Sequence, residues 1–403
     1  MKKIFIIVLI LIAFVPSGNS MAQEPAHTDA SALDISFYSP PSETKPYPLV
    51  ATKPVKNIIL LIGDGMGLAQ INAARIRAVG PDGFLHIDRM PVTGFIRTHA
   101  ANALITDSAS SATAYAAGMK TDNGMISVTP DGERLYTVLE GARDRDKATG
   151  LVATSTITHA TPACFAAHVL SRGNERKIAE HLIENKVNVI LGGGKDMFVP
   201  DPADTLHEYP DLIERGKNMG YTFVETRDDL MNADADHLLG LFHSGPLSTF
   251  DPEPSVAEMA QKAIEILSKN PDGFFLMVEG SQIDWGSHRN DPTYALRQML
   301  LFDEAIEVAM NFAIADQSTL VIITADHETG GMTINAGSLD GTDVKCEWTT
   351  RGHSGINVPI FAFGPHAEMF MGLHDNTYVG TCMASLFDIK PFPRVVTSGD
   401  SSQ

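Results

Sequence analysis

The sequence predicts a three-layer α/β/α sandwich built on a largely parallel central sheet. Short apolar runs bounded by glycine or polar residues are continuous rather than alternating, which is typical of strands covered on both faces. Helical patterns lie between several of these runs, as in the α/β class. Acidic and hydroxyl residues directly follow several runs, where open α/β sheets bind their ligands. The predicted strands are residues 57–63, 150–156, 187–193, 273–280, 319–325 and 358–364.

Two helices between these strands carry clear signals. One begins at Asp291-Pro292, an N-cap followed by proline at the first helical position, and is predicted to run to about residue 313. The other is the amphipathic segment 256–269. Residues 195–250 show weaker periodicity and are expected to form an insertion or surface subregion of the same domain. We find no internal repeat, so residues 55–395 are predicted to form a single domain.

The N-terminal residues are typical of an export signal. Lys2 and Lys3 precede an apolar run from Ile4 to Val15, and Ser20-Met21-Ala22 fits a small-x-small cleavage site. The run is too short to span a bilayer, although an uncleaved anchor is the alternative. Residues 1–22 are therefore predicted to be a signal peptide, and the Pro-, Ser- and Thr-rich residues 23–54 an extended arm. We expect a periplasmic or secreted protein with no membrane attachment after cleavage.

The composition excludes some partners. The chain has 403 residues, 44% of them hydrophobic and 20% charged, with a net charge of −19. That charge argues against nucleic-acid binding, which needs a basic surface, although bound cations can reverse the local sign of a site. The three cysteines, Cys164, Cys346 and Cys382, allow at most one internal disulfide, and their spacing leaves open whether any forms. No C-x-x-C is present, which argues against a cysteine metal site.

Two separate segments carry ligands for one transition-metal ion. Asp284 and His288 in "EGSQIDWGSH" are four residues apart, so on a helical turn they share a face. His353 lies in the glycine-flanked "TTRGHSG". Alone, the pair could be an ordinary Asp–His hydrogen bond, and the loop histidine could be solvated. Together, the three side chains form the mixed nitrogen and oxygen set that zinc prefers.

Further acidic residues predict two more metal sites. Asp64 follows strand 57–63, and Asp326 and His327 follow strand 319–325, so these three could hold a second zinc. The other oxygen of Asp64, the Thr161 hydroxyl and Glu279 form an all-oxygen set, which suits magnesium.

The segment "TDSASSATAYAAG" supplies a candidate nucleophile. Ser108 begins a predicted helix, whose N-terminus adds positive potential. A hydroxyl bound to a divalent cation ionises far more readily than a free one, so no separate base is required. Two cations a few Å apart would stabilise both the attacking and the leaving oxygen of an in-line displacement. Asp107 is expected to cap the helix or to orient a neighbouring group.

Six segments, in order, resemble the successive motifs of alkaline phosphatases over roughly residues 55–390. The resemblance implies a metal-dependent phosphomonoesterase with a phosphoseryl intermediate on Ser108, and commonly a homodimer. It also implies two Zn²⁺ and one Mg²⁺ per subunit, with Asp284, His288 and His353 on one zinc, Asp326, His327, Asp64 and Ser108 on the other, and Asp64, Thr161 and Glu279 on magnesium. The segments are "KNIILLIGDGMG", "TDSASSATAYAAG", "THATPACFAAHVLSRG", "MVEGSQIDWGSH", "ITADHETGG" and "GHSG".

The resemblance also assigns a role to Arg172 in "AHVLSRG". It matches the phosphate-clamping arginine of the family, and a guanidinium can bind two nonbridging phosphate oxygens at once. A surface arginine at a helix start is the structural alternative. The implied substrates are phosphate monoesters, with inorganic phosphate as a product, and the implied catalytic domain is residues 55–395. The physiological alcohol is left open.

Three features depart from the common family pattern. His159 stands where some members carry Asp, and Trp285 stands where others carry Lys or His. This combination resembles a branch known from cold-adapted marine bacteria. Changes next to metal ligands alter metal affinity, and His159 could favour zinc at the third site. Residues 332–350 are short where relatives insert a crown loop at the dimer interface, which weakens the expectation of a homodimer.

Two alternative functions are distinguishable from the sequence. A phosphodiesterase or sulfatase could use the same metal scaffold, but the diesterase relatives usually have a Thr nucleophile and lack the arginine, whereas this chain has Ser108 and Arg172. The C-x-P-x-R signature of sulfatases is absent. A secreted metal- or phosphate-binding protein without turnover is the alternative from another class, and the complete set of expected catalytic positions argues against it.

Overall fold

The computed structural model of the chain describes residues 26–50, 53–201 and 209–396. The predicted signal peptide and the start of the predicted arm lie outside these ranges. The described strands are β1 (Ala26–Asp29), β2 (Asn57–Gly63), β3 (Val92–Arg97), β4 (Ala148–Thr156), β5 (Val189–Gly193), β6 (Thr222–Val224), β7 (Leu238–Leu241), β8 (Phe274–Gly280), β9 (Thr319–Thr324), β10 (Glu328–Thr329), β11 (Met332–Gly337), β12 (Val344–Trp348), β13 (His353–Ser354), β14 (Val358–Phe363) and β15 (Gly372–Asp375).

The described α-helices lie before, between and after these strands. They are α1 (Leu68–Val79), α2 (Ser108–Ala117), α3 (Val138–Arg143), α4 (Ala160–Ala166), α5 (Glu175–Glu184), α6 (Leu212–Asn218), α7 (Arg227–Asn232), α8 (Val256–Leu267), α9 (Gln282–His288), α10 (Pro292–Asp316) and α11 (Asn376–Leu386).

The central sheet has ten strands in the order β15-β3-β14-β9-β2-β8-β4-β5-β7-β6. Strand β14 pairs antiparallel with both of its neighbours, and the other neighbouring pairs of this sheet are parallel. One helix group, α1, α8 and α9, packs around α10, and a second group contains α2, α3, α4 and α11. Helices of both groups contact β4 and β8, so the sheet is covered on both faces. The predicted α/β/α sandwich is confirmed.

The continuous apolar runs are strands buried on both faces. Every residue of β2, β8 and β9 is buried. Water cannot reach either face of such a strand, so the alternation of a half-exposed strand is absent. All six predicted strands are present, with ends shifted by two residues or fewer.

Four strands of the sheet were not predicted. Residues 222–224 and 238–241 are short strands that extend one edge of the sheet, so the region expected to be an insertion is partly a continuation of the sheet. Residues 92–97 alternate between buried and exposed, and 372–375 form the opposite edge. These strands are short or half exposed, and so lack the continuous apolar signal of the central ones.

The long helix α10 begins as its sequence predicts. The Asp291 side chain accepts a hydrogen bond from the backbone N–H of Tyr294, and Pro292 occupies the first turn. The helix continues three residues past the predicted end and stops at Gln317, which has a φ of +63°. Within the described chain no helix has the length and apolar character needed to cross a membrane.

A buried carboxylate ties the predicted arm to the body of the protein. Asp303 of α10 is fully buried and accepts three hydrogen bonds. The donors are the Tyr38 hydroxyl at 2.7 Å, the His86 backbone N–H at 2.8 Å and the Ile87 backbone N–H at 2.9 Å. The described arm residues are therefore packed on the domain rather than extended away from it.

The region 332–350, where relatives insert a crown loop, forms a hairpin of β11 and β12. Strand β1 joins this hairpin to make a three-stranded sheet. Cys164, Cys346 and Cys382 are buried, and none of them forms a disulfide in the described part of the chain. The three cysteines contribute to packing as thiols.

Replacing Asp303 with Ala should destabilise the protein, because three donors would lose their acceptor in a water-free site. We expect the free energy of unfolding to fall by about 3 kcal/mol, measured by urea denaturation. Tyr38→Phe removes one donor and should cost about 1 kcal/mol. The exposed control Asp82→Ala should change stability by less than about 0.5 kcal/mol. A loss below about 1 kcal/mol for Asp303→Ala would contradict this role.

Candidate active site

The carboxyl ends of four neighbouring strands form the floor of the site. Strands β9, β2, β8 and β4 are adjacent and parallel, so residues at their ends lie side by side. Asp64 follows β2, Glu279 lies in β8, Asp326 follows β9, and Thr161 lies in α4 soon after β4. All four side chains are fully buried. This is the crevice in which open α/β sheets bind ligands.

A glycine lets the next segment approach this floor. Gly65 has a φ of +74°, and a β-carbon at that position would lie 2.7 Å from the Cα of Asp284. Its backbone N–H donates to Asp326 Oδ1 over 3.2 Å. Any side chain here would push α9 away from the strand ends.

Ser108 is the first residue of α2 and is almost fully buried. Asp107 is the N-cap and accepts a hydrogen bond from the Ser110 backbone N–H at 2.9 Å. This fixes the helix start and aims the Ser108 hydroxyl at the strand ends, with its Oγ 3.3 Å from Nε2 of His327. Cap and dipole together place partial positive charge at this hydroxyl.

His327 links the serine to two carboxylates. Its Nε2 lies 3.2 Å from Asp326 Oδ2 and 3.5 Å from Asp64 Oδ1. The Thr329 hydroxyl donates to Asp284 Oδ1 and so accepts from Nδ1 of His327, 3.2 Å away. This hydrogen bond puts the proton on Nδ1 and leaves the Nε2 lone pair facing the serine and the carboxylates.

The residues predicted for the other zinc also converge. Nε2 of His288 lies 3.2 Å from Asp284 Oδ1, and Nε2 of His353 lies 3.7 Å from the same oxygen. The two Nε2 atoms are 3.2 Å apart. Nδ1 of His288 faces the Arg351 carbonyl at 2.5 Å, and Nδ1 of His353 faces the Thr106 carbonyl at 2.7 Å. Both Nδ1 atoms are therefore donors, and both Nε2 lone pairs point at each other, an arrangement that needs a proton or a metal ion between them.

The cluster around Asp284 and the cluster around Asp64 are adjacent. The rings of His327 and His353 stack with their centroids 3.5 Å apart. Ligand atoms of Asp284, His327 and His353 lie within 4.8 Å of one another, and so do those of Asp64, Asp326 and His327. Two neighbouring cation sites therefore flank Ser108.

A third cluster lies on the far side of Asp64. Ligand atoms of Asp64, His159 and Glu279 lie within 4.8 Å of one another. The Oε2 atom of Glu279 accepts from Ser281 at 2.7 Å and from Ser155 at 3.3 Å. Its Oε1, the Thr161 hydroxyl and Nδ1 of His159 are buried without a hydrogen-bond partner among the described residues.

Buried oxygens without partners identify the site as one built for cations. Both carboxylate oxygens of Asp64 and Oδ2 of Asp326 also lack a hydrogen-bond donor in the described part of the chain. Burying a polar group without a hydrogen-bond partner costs about 1–3 kcal/mol when the group is neutral and more when it is charged. A bound cation that accepts these oxygens as ligands would remove this cost.

The pKa values of these carboxyl groups follow from the same crowding. Burial, followed by the charges of Asp326 and Asp284, raises the pKa of Asp64 well above its usual range. Burial and the charge of Asp284 raise the pKa of Asp326 to about 8. Burial raises the pKa of Glu279 to about 7, despite hydrogen bonds that oppose the shift. The hydrogen bonds that these groups accept leave their pKa values raised, so additional positive charge would favour their carboxylate forms at neutral pH.

The pKa values of the site histidines differ because their surroundings differ. Burial opposes ionisation of Asp284, but the hydrogen bond from His288 and the charges of His327, His288 and His353 together outweigh it, and the pKa of Asp284 is lowered. The same hydrogen bond raises the pKa of His288 to about 8. Burial lowers the pKa of His327, and burial together with Arg172 lowers that of His159 to about 3. His159 and His327 are therefore neutral, and His327 keeps its Nε2 lone pair available for a metal ion.

Arg172 lies beside Asp107, the residue that precedes Ser108. Its Nη1 donates to Asp107 Oδ2 over 3.1 Å, and its Nη2 donates to Nε2 of His159 over 3.0 Å. The ring of Trp285 meets the ring of His159 edge to face at 6.3 Å between centroids. The predicted departures from the family pattern, His159 and Trp285, therefore lie next to each other, and His159 contacts the arginine.

Sequence reasoning missed three side chains of the site. Thr329 fixes the tautomer of His327, and Ser155 and Ser281 hold Glu279. Thr329 lies two residues after His327, and Ser281 two residues after Glu279. Hydroxyls that follow a predicted ligand at a strand end are the signal that could have found both.

Comparison with known proteins agrees with this geometry. The family model described as alkaline phosphatase matches residues 55–346 and 338–389. Alkaline phosphatase 3 of Bacillus subtilis is 37% identical over 81% of this chain and 87% of its own length. Alkaline phosphatase of Escherichia coli is 34% identical over 85% of this chain and 88% of its own length.

The solved structures give the same result. Alkaline phosphatase from the Antarctic bacterium TAB5 superposes with a TM-score of 0.77 at 35% identity, covering 84% of this chain and 99% of that one. A variant of the TAB5 enzyme in which a histidine is replaced by aspartate was solved with Mg bound in its M3 site. The family model covers most of the chain, and the relatives exceed 30% identity over more than four-fifths of it. The chain therefore belongs to the alkaline phosphatase family.

Proposed function

We propose that the chain hydrolyses phosphate monoesters to an alcohol and inorganic phosphate through a covalent phosphoseryl intermediate on Ser108. One observation carries this proposal: the Ser108 hydroxyl lies 3.3 Å from His327 in a buried cluster of carboxylates and imidazoles. A buried serine aimed at such a cluster is suited to attack an anionic phosphoryl group only if cations complete the site.

The donor chemistry fits three cations per subunit, two Zn²⁺ and one Mg²⁺. The first zinc would be held by Asp284, His288 and His353, and the second by Asp64, Asp326, His327 and Ser108. Magnesium would be held by Asp64, Thr161 and Glu279. Unpartnered buried oxygens in the second and third sets, and facing Nε2 lone pairs in the first, support this assignment. When bound, the cations would lower the pKa of the serine hydroxyl and neutralise charge on the phosphoryl group.

The third site is the one in which His159 matters. The TAB5 variant with bound Mg has aspartate in place of a histidine, and this chain has His159 beside Asp64 and Glu279. A neutral imidazole is a weaker ligand for magnesium than a carboxylate is. We propose that magnesium is held by the three oxygen ligands, with His159 beside them, and that His159 weakens this binding relative to an aspartate.

The chemistry of the chain's own residues follows in two displacements. The Ser108 hydroxyl gives up its proton to solvent and its oxygen attacks phosphorus, so that an O–P bond forms and the ester P–O bond breaks. The electron pair leaves with the alcohol oxygen, which takes up one proton from solvent. A water oxygen then attacks the same phosphorus and gives up one proton to solvent, the Ser108–phosphorus bond breaks, and the Ser108 oxygen takes up one proton, which leaves hydrogen phosphate as the product. The α2 N-terminus favours the negative charge that develops at Ser108 in both steps.

Arg172 distinguishes monoesters from diesters. Its guanidinium donates hydrogen bonds to Asp107, which directly precedes Ser108, and to His159, which belongs to the third cluster. A monoester offers nonbridging oxygens that a planar guanidinium can bind in pairs, whereas a diester has one fewer anionic oxygen. This arginine supports a monoesterase over a phosphodiesterase, and the aimed Ser108 supports an enzyme over a passive phosphate-binding protein.

The remaining proposals concern the processing, cellular location and oligomeric state of the enzyme. We propose that residues 1–22 are a cleaved signal peptide, that residues 55–395 form the catalytic domain, and that the mature protein is periplasmic or secreted. A homodimer is proposed from the family resemblance. The short hairpin at 332–350 supplies less surface for such an interface than an inserted crown loop would.

Ser108→Ala should abolish most hydrolysis of p-nitrophenyl phosphate, because it removes the proposed attacking oxygen, which lies 3.3 Å from Nε2 of His327. We expect kcat to fall by at least about 10³-fold, with zinc content nearly unchanged in elemental analysis. Ser110→Ala, two residues along the same helix, is the matched control and should retain activity within about threefold. Unchanged turnover by Ser108→Ala would exclude this serine as the nucleophile.

Arg172→Ala should reduce kcat/KM for p-nitrophenyl phosphate by about 10²-fold, the expected loss of a charge-assisted contact to the phosphoryl group. The kcat/KM for bis-p-nitrophenyl phosphate should fall much less, so the preference for the monoester over the diester should decrease. Arg176→Ala on helix α5 is the control, since its guanidinium donates to the Val199 carbonyl and pairs with Asp201. A native enzyme preferring the diester more than about tenfold would refute the monoesterase proposal.

In the metal-free protein, the free energy of unfolding should decrease as the pH rises. The ordinary pKa of Asp326 is 3.8 and that of Glu279 is 4.5, against about 8 and about 7 in the metal-free fold. Over this interval the folded state holds more protons than the unfolded state, so the free energy of unfolding decreases with pH. Thermal unfolding of the chelated protein should show Tm falling from pH 5 to 8.

Reloading with zinc and magnesium should remove that fall, because cations replace the protons. Asp326→Asn should flatten the pH dependence of the chelated protein, since one of the titrating groups is gone. A chelated native protein whose Tm is constant or rising from pH 5 to 8 would show that these carboxyl groups do not titrate as the geometry requires.

A further inference from the structure

Three exposed aliphatic side chains form an apolar rim beside the active site. The rim consists of Leu104, Ile105 and Ile356, whose exposed fractions are 78%, 38% and 60%. They come from two distant segments that meet at Gly355. A β-carbon at Gly355 would lie 3.1 Å from Cδ1 of Ile105 and 4.0 Å from Cγ of Leu104. Adjacent exposed aliphatic groups from separate segments form a patch, and such patches mark binding surfaces.

The rim is joined to the catalytic groups through the backbone. The Thr106 carbonyl accepts the hydrogen bond of His353, which ties the two rim segments together next to the metal ligands. Ile105 is three residues before Ser108, and Ile356 three residues after His353. At 3.8 Å between consecutive Cα atoms, each rim isoleucine lies within about 11 Å of a catalytic or ligand residue along its own segment.

The rim segment is also held in a defined position. The Asn123 side chain donates to the Ile105 carbonyl at 2.9 Å and accepts from the Asp107 backbone N–H at 3.0 Å. Side chains on a held backbone keep their exposed position without a hydrophobic partner among the described residues. Their exposure is therefore a property of the free enzyme rather than of a moving loop.

The alcohol group of a phosphate monoester bound at Ser108 would extend toward solvent. Asp64, Asp326 and His327 are fully buried, so the phosphoryl group would have protein beneath it. Arg172 and Asp107 form an ion pair on one side of Ser108. The rim is an exposed apolar surface on the segments that carry Ser108 and His353, and so lies where an alcohol group could reach it.

We infer that the apolar rim contacts the alcohol group of the substrate and favours phosphate monoesters of apolar alcohols over those of polar ones. The inference rests on the proposed function and adds no chemical step to it. Covering part of two aliphatic side chains should raise kcat/KM by roughly tenfold, which corresponds to about 1.4 kcal/mol. The occupant is a substrate group rather than a second copy of the chain, because the patch is continuous with the catalytic groups.

Two primary alkyl esters test the rim with the native metal-loaded enzyme. Hexyl phosphate and glycerol 3-phosphate have alcohol groups of similar size but different polarity. The native enzyme should hydrolyse hexyl phosphate with the higher kcat/KM. The double variant Leu104→Ser/Ile356→Ser should lose roughly tenfold on hexyl phosphate and less than about twofold on glycerol 3-phosphate. Leu339→Ser, an equally exposed leucine in the turn between β11 and β12, is the control and should leave both values unchanged.

The outcomes separate the rim from the proposed function. If the native enzyme hydrolyses neither ester, the proposed function fails. If native and double variant hydrolyse both esters with the same ratio of kcat/KM, the rim has no role in substrate binding and the inference is wrong. Analytical sedimentation of the native enzyme and the double variant tests whether the rim instead forms a contact between subunits. A change from dimer to monomer, with equal losses on both esters, would assign the rim to contact between subunits and overturn the inference.

Discussion

Mutual repulsion among buried carboxylates is the constraint on which the rest of this structure depends. Asp64 is fully buried, and the charges of Asp326 and Asp284 add to burial in raising its pKa. A fold would not retain four acidic side chains in one water-free crevice unless cations took part in its stability, because each uncompensated charge costs several kcal/mol. The unpartnered oxygens of Asp64, Glu279 and Asp326 mark where those cations belong.

The sheet makes this arrangement possible at low conformational cost. Strands β9, β2, β8 and β4 are neighbours, so their carboxyl ends place side chains from residues 64, 161, 279 and 326 in one crevice. Each of these strands is hydrogen-bonded to two neighbours and buried on both faces, which restricts how far the charged groups can move apart to relieve their repulsion. The α9 and β13 residues then close the site from above, and Gly65 allows α9 to approach.

The sequence predicted the centre of this molecule better than its edges, for a physical reason. Strands such as β2 and β8 are buried on both faces and produce continuous apolar runs, and the ligands lie at their ends. Strands β6 and β7 are short, so the weak signal of residues 195–250 concealed them. The position of Thr329 two residues after His327 could have marked it as a candidate, but its hydrogen bonds with both Asp284 and His327 depend on contacts that only the folded chain brings together.

Asp107 couples the two halves of the site more closely than the motif suggested. One oxygen caps α2 by accepting from Ser110, and the other accepts from Gly124 and Arg172. The same carboxylate therefore positions the nucleophile and the guanidinium. Arg172 in turn contacts His159, which borders the third metal set. A change at that set reaches the guanidinium of Arg172 directly through His159, whereas Ser108 is held by the cap of α2. Metal occupancy at the third set should thus affect retention of phosphate more than the position of the attacking oxygen.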